Sequence, residues 1–153
     1  TLRIEMGHVA GPELDGRTIP YDISLEGLVS NKKDFIGKRS LSRIAFNSAD
    51  RQKIVGLVPV DRKSSIPEGS HLVKDKDAKL PNPKLGHVSS SCWSVENNNP
   101  FSLAIVKDGK NMIGQKLYAL SPLKNTAIEV EVISSHYVDH EGSRVRSWKM
   151  YHR

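Results

Sequence analysis

Apolar and polar residues alternate most clearly from Ala127 to Ser134. Ile128, Val130 and Val132 fall on one face there, and Glu129 and Glu131 on the other. A period of two predicts a half-buried strand. Two other stretches predict strands, the second of them buried. One is Lys53 to Asp61, KIVGLVPVD, with Gly56 inside it and Pro59 marking an edge or bend. The other is Phe101 to Val106. His71 to Val73 and Lys116 to Leu120 predict two shorter strands, the second broken by Ser121-Pro122. Gly86 and Val88 open a strand whose backbone comes close to something else. From Ser89 to Asn99 the chain carries hydroxyls, amides, one thiol and Trp93 but no apolar run, which predicts an eleven-residue polar loop held between two strands. Such loops are where binding groups tend to sit. Lys107-Asp108-Gly109-Lys110 signals a hairpin, because Asp-Gly suits the positive φ of a type I′ turn.

Six or seven short strands at close spacing, separated by Gly or Pro, predict a small closed, Greek-key-like β-barrel of about six strands. The texture before Lys53 differs. Residues 2–8, LRIEMGH, alternate like a strand, yet they are good helix formers with Gly7 as a stop, and both readings stay open. Residues 9–23 read as loop with short turns, and Leu25 to Ser30 as a short strand. Asp34 can cap a helix running to about Phe46, with Ile36, Leu41 and Ile44 spaced for one buried face. The polar stretch Asn47 to Gln52 marks a boundary. The fold class is therefore mainly β, a barrel domain at 51–153 preceded by an α+β piece at 1–50. The stretch from His136 to Arg153, with Tyr137, Trp148 and Tyr151 among basic residues, predicts an extended tail.

The chain has 153 residues, enough for one domain with a real core, and no apolar run long enough for a membrane span. It opens on Thr1-Leu2-Arg3-Ile4 with no initiator Met and no leader-like segment, the expectation for an excised or processed fragment. One cysteine, Cys92, excludes an intrachain disulfide, argues against a cysteine-based zinc site and fits a reducing, cytoplasmic compartment. Net charge is +6, densest from Asn31 to Arg43. Of nine aromatics only Phe35 falls within that basic cluster, so it predicts a solvated face or a face for an acidic partner, not a nucleic-acid surface. His136 and His140 are four residues apart, but in a stretch that is not helical, so no metal site is expected there. No dinucleotide fingerprint, P-loop or zinc-protease motif is present.

What the chain does carry is a series of landmarks in order: LRIEMGHVAGPELDGRTIP, KKDFIGKRSL, VGLVPVD, PEGSHLV, LGHVSSSCWS, FSLAIVKDG, IGQKLYA and AIEVEVISSHYVDHEGSRV. Together they resemble the C-terminal part of the aminomethyltransferase family, the folate-dependent T-protein of glycine cleavage, over nearly the whole chain. Gly11 to Thr18, Ser89 to Ser94, and Tyr137-Val138-Asp139 with Glu141, Gly142 and Arg144 look most like the branch formed by alpha subunits of heterotetrameric sarcosine oxidases.

The resemblance implies a division of labour. Sarcosine is demethylated at a flavin on a beta subunit, and electrons pass through a second flavin to oxygen. The alpha subunit pairs a dinucleotide (NAD)-binding domain with a T-protein-like half that binds tetrahydrofolate. Residues 1–50 would then be the end of the folate-binding domain, and 51–153 the barrel that closes its cavity. The family's catalytic carboxylate and pterin-holding residues fall upstream of Thr1, so no catalytic residue carries over, and Glu13 and Asp15 qualify by residue type only. Trp93 and Tyr137 are the candidate contacts, to a pterin ring or to the domain interface. Arg3 and Glu5 are expected to hold the first helix against the sheet. Ser94-Val95 stands where the family has Ser-Pro, and Asn97 to Asn99 fill the loop beyond it. Two other readings compete. One is a true aminomethyltransferase or the folate half of a dimethylglycine or sarcosine dehydrogenase. The other is a stand-alone basic β-barrel binding module.

Overall fold

The structure, a computed structural model, describes residues 1–48, 50–77 and 84–146. Six antiparallel strands close a barrel: β1 (Gln52–Pro59), β2 (His71–Val73), β3 (Gly86–Ser94), β4 (Asn99–Lys107), β5 (Lys116–Ser121) and β6 (Thr126–Ile133). Their order around the barrel is β1-β4-β3-β2-β5-β6, with β1 pairing β6 to complete the ring. Strands β2 to β4 follow one another in space and β1 lies beside β4, which is the Greek-key connection. The expected barrel is thus the observed one.

Two apolar layers explain the patterns along the chain. Val55, Leu57, Val88, Ala104, Val106, Leu117, Ala119, Val130 and Val132 point into the barrel, joined by Ile66 and Met112 from the connections. Ile54, Val58, Phe101, Leu103 and Ile105 point outward into a second cluster with Ile4, Val9, Ile23, Ile133 and Tyr137. Strands β1 and β4 are apolar at consecutive positions because both of their faces are buried. Strand β6 alternates because its Glu129 and Glu131 face outward, where they pair with Lys116 and Arg62.

The outer layer is closed by the N-terminal segment. Residues 2–8 resolve as a helix, α1 (Leu2–Glu5), stopped by Gly7 at φ 69°. A Cβ at Gly7 would lie 2.7 Å from the Ser135 carbonyl oxygen, so the tight approach of α1 to the chain after β6 needs glycine. Gly56 plays the same part within β1, where a Cβ would meet the Ser134 carbonyl at 2.3 Å and the Phe101 ring at 2.7 Å.

Several local expectations differ from the structure. Strand β3 runs on through Ser94 and β4 starts at Asn99, so the eleven-residue loop shrinks to residues 95–98. Leu25 to Ser30 holds a 3-10 turn, Glu26–Leu28, and not a strand. The helix expected from Asp34 to Phe46 is reduced to one turn, α2 (Lys38–Leu41), and a 3-10 turn, Ile44–Phe46. Gly37, at φ 94°, interrupts it, and Ile36 and Ile44 lie in solvent. Asp108 has the positive φ expected, at 53°, but it leads into a 3-10 turn, Gly109–Met112, and not a two-residue hairpin. The tail contains a helical turn, α3 (Ser143–Arg146), while Trp148 and Tyr151 lie outside the described residues.

Candidate functional site

The polar half of β3 has its partners far upstream in sequence. Past the bulge between Val88 and Ser90, the side chains of Ser90, Cys92 and Ser94 face the N-terminal segment. Glu13 sits in a 3-10 turn, Gly11–Glu13, with its side chain fully buried. One of its oxygens accepts from Ser90 Oγ at 2.6 Å; the other accepts from the Ala10 N–H at 2.8 Å and from Arg3 Nη1 at 3.0 Å. Arg3 Nη2 also donates to Ser90 Oγ at 2.8 Å. Burial alone would push the Glu13 carboxyl up. The hydrogen bond from Ser90, those from Ala10 and Ser89 and the Arg3 charge outweigh it and hold the group below its ordinary value.

Glu5, at the end of α1, accepts from Ser94 Oγ at 2.6 Å, and its carbonyl takes the Tyr137 and Val138 N–H groups. Arg3 and Glu5 therefore do hold α1 to the sheet, each through β3 and not through one another. A second anchor joins Asp22 to Arg51 and, at 3.6 Å, to Lys53. Burial opposes ionisation of Asp22, but the Arg51 hydrogen bond, the Ile19 N–H and the two cations lower its pKa overall.

Trp93 and Tyr137 stand on opposite sides of this sheet. Tyr137 stacks on Phe101 with ring centroids 4.4 Å apart and planes 6° from parallel, and its hydroxyl donates to Asn99 at 2.9 Å. Phe101 is paired with Cys92, so both face the outer layer. Trp93, one residue on and paired with Pro100, faces the other way. Trp93 is 50% exposed, and Val95 beyond it is exposed as well. One pocket cannot take both rings of this chain.

The carboxylates that border a cleft among the described residues, Asp34, Asp50, Asp61, Asp108 and Glu129, do so in open clefts at the surface. Glu5 and Glu13 are sealed in the seam. Asp15, held down to about 2 chiefly by its hydrogen bond from Arg17, is on the surface. Burial pushes the Cys92 thiol up, away from nucleophilic use. His136 and His140 meet edge to face at 5.7 Å. Among the described residues no group of three His, Cys, Asp or Glu could hold a metal ion. Among the described residues the exposed aromatic rings are Trp93 and Phe35, the latter beside a cleft that Asp34 also lines. The Glu13–Ser90 and Glu5–Ser94 links were not foreseen as a network; the serines on alternate positions of LGHVSSSCWS were its only trace in the sequence.

Residues 52–139, more than half of the chain, match the model of the glycine cleavage T-protein C-terminal barrel domain. The chain belongs to that family. Beyond the barrel, the match to individual proteins takes in the N-terminal segment as well. The chain is 35% identical over 146 residues to the sarcosine oxidase subunit alpha of Rhizobium meliloti (strain 1021), covering 94% of this chain and 15% of that protein. It is 37% identical over 146 residues to the subunit alpha of Corynebacterium sp. (strain P-1), with the same coverages. The chain thus spans about 15% of the length of these relatives. Among solved structures it resembles the glycine cleavage system aminomethyltransferase T of Bartonella henselae, at a TM-score of 0.71 and 22% identity, over 90% of this chain and 37% of that one. That likeness shows the fold. Among the described residues no helix is long and apolar enough to cross a membrane.

Proposed function

We propose that this chain is the C-terminal, T-protein-like part of a sarcosine oxidase alpha subunit. The observation that carries the reading is the match to sarcosine oxidase alpha subunits across 94% of the chain, which takes in the segment before the barrel as well as the barrel itself. In the parent enzyme, sarcosine, tetrahydrofolate and oxygen give glycine, methylenetetrahydrofolate and hydrogen peroxide. The two electrons leave sarcosine through flavins on partner subunits, and the one-carbon unit goes to the folate. An upstream dinucleotide-binding domain of the same chain, a flavin-carrying beta subunit and smaller subunits complete a cytoplasmic heterotetramer.

The part played by this piece is architectural. Its seam of buried carboxylates fixes the N-terminal segment on the barrel, and Trp93 is left at the surface as a wall contact for the folate domain. Alone, it is inactive. The fold it shares with an aminomethyltransferase would serve a glycine cleavage protein or a dehydrogenase equally well, and the named relatives favour the oxidase.

The test is co-elution. The parent alpha chain is mixed with a flavin-carrying beta subunit, and flavin absorbance is followed through size exclusion, with sarcosine-dependent peroxide formation assayed on the pooled peak. A joint peak with activity supports the assignment. A parent chain that forms no complex and produces no peroxide sinks it. Binding of nucleic acid that falls steeply with salt would favour the stand-alone basic module instead.

A further inference from the structure

His136 and His140 follow β6 on a stretch that is not helical, where a spacing of four does not by itself bring two side chains together. A turn does it instead. Asp139 takes a left-handed φ of 52° and Gly142 one of 64°, and the Gly142 N–H closes on the Asp139 carbonyl at 2.8 Å. The chain folds back, and the two half-buried rings meet with centres 5.7 Å apart and planes 76° from parallel. His136 stands on a fixed base, because the Tyr137 and Val138 N–H groups beside it are bound to the Glu5 carbonyl. Both rings line one open cleft of about 280 Å³, together with Ser24, Ile113, Ser135 and Lys110.

We propose that His136 and His140 form an open two-imidazole site for a borderline divalent cation, Cu²⁺ or Zn²⁺, independently of the function proposed above. A ligating nitrogen stands about 2 Å from such an ion, so rings whose centres are about 6 Å apart or less can share one. Burial, and then the charges of His140 and His8, hold His136 below its ordinary 6.5. Near neutral pH its ring is therefore uncharged and has no proton to give up on binding. Ser135 Oγ lies 3.4 Å from His136 Nδ1 and can accept its hydrogen, which leaves Nε2 for the ion. An anion fits the cleft less well, because its one ammonium, Lys110, is already paired with Glu26. Among the described residues no third His, Cys, Asp or Glu completes the set, so water fills the remaining positions. Two imidazoles and water place Cu²⁺ ahead of Zn²⁺ in affinity. A bound ion would tie the turn at 139–142 to the chain leaving β6.

The test treats the full parent chain with diethylpyrocarbonate, which acylates accessible imidazole nitrogens, across a Zn²⁺ titration. Labelling is read histidine by histidine by peptide mass spectrometry. His136 and His140 are expected to lose their label together, along one curve, while the exposed His71 keeps its own. His140→Gln should raise the Zn²⁺ needed to protect His136 by about a hundredfold, because one arm of the chelate is gone. Cu²⁺ supplies a second readout that needs no labelling. The pulsed electron paramagnetic resonance signal present in the parent and absent from the His136→Gln/His140→Gln double variant should carry two imidazoles. Protection that is absent, reaches one ring of the pair only or extends equally to His71 overturns the inference. So does a His140→Gln variant in which His136 is protected at the parent's Zn²⁺ concentration. Where the metal-free rings take no label, the copper signal decides: no difference from the double variant, or a difference with one imidazole, sinks the site.

Discussion

Ser90 Oγ donates to a carboxylate oxygen of Glu13 at 2.6 Å and accepts from Arg3 at 2.8 Å, so one hydroxyl ties two upstream side chains to β3. Removing the hydroxyl leaves one Glu13 oxygen without its donor in a place that water does not reach. Ser90→Ala is expected to lower the unfolding free energy by about 1–3 kcal/mol. Glu13→Ala should cost more, since it strips partners from Arg3, Ser90 and the Ala10 N–H together. Urea unfolding of the two variants and the double variant checks this. A double variant whose loss equals the sum of the single losses would show that the two residues do not act as a unit.

The same network sets the response to acid. Glu13 and Asp22 have folded pKa values below their ordinary 4.5 and 3.8. Between the folded and the ordinary value the unfolded chain binds more protons, so stability falls as pH falls through that window. Burial, with the charges of neighbouring histidines and lysine, also holds His87 and His136 below 6.5, so protonating either one favours unfolding. Stability is therefore expected to begin declining gently below about 6.5 and steeply below about 4.5. Unfolding midpoints across that range check the shape. Glu13→Gln should flatten the lower limb and leave the upper one.

Gly56 and Gly16 make a matched pair. A Cβ at Gly56 meets backbone at 2.3 Å, while one at Gly16 meets nothing within 4 Å. Gly56→Ala is expected to cost about 3 kcal/mol or more, because the clash is with the Ser134 carbonyl and a fully buried Phe101 and neither can move aside. Gly16→Ala should stay within about 0.5 kcal/mol of the parent sequence. Thermal melts of both decide it.

The barrel was readable because its strands are patterned by burial that the barrel itself supplies. Val130 and Val132 alternate with Glu129 and Glu131, and Ile54 to Val58 are apolar throughout because the strand has two cores beside it. The polar stretch after Val88 misled because the partners of Ser90 and Ser94 are carboxylates more than seventy residues earlier, which no local pattern reports. The segment from Asp34 to Phe46 misled for the opposite reason. Its spacing of Ile36, Leu41 and Ile44 is that of a buried helix face, but among the described residues nothing covers Ile36 or Ile44. Trp93 and Tyr137 could be singled out as rings among polar residues. That they face opposite ways follows only from the β3–β4 register, through Cys92 opposite Phe101 and Trp93 opposite Pro100.

That register separates the two rings experimentally. Tyr137 belongs to the fold: Tyr137→Phe should cost about 0.5–1.5 kcal/mol for the lost bond to Asn99, and Tyr137→Ala about 3–5 kcal/mol with the stacked ring gone. Trp93 is half in solvent, and Trp93→Ala should move stability by no more than about 0.5 kcal/mol. In the full parent enzyme the order is expected to reverse. If Trp93 forms part of the wall beside the folate domain, Trp93→Ala weakens tetrahydrofolate binding, measured by calorimetry, with the melting temperature unchanged. Tyr137→Phe leaves that affinity where it was. Equal affinities for the parent enzyme and its Trp93→Ala variant would remove Trp93 from the wall and leave it a plain surface residue.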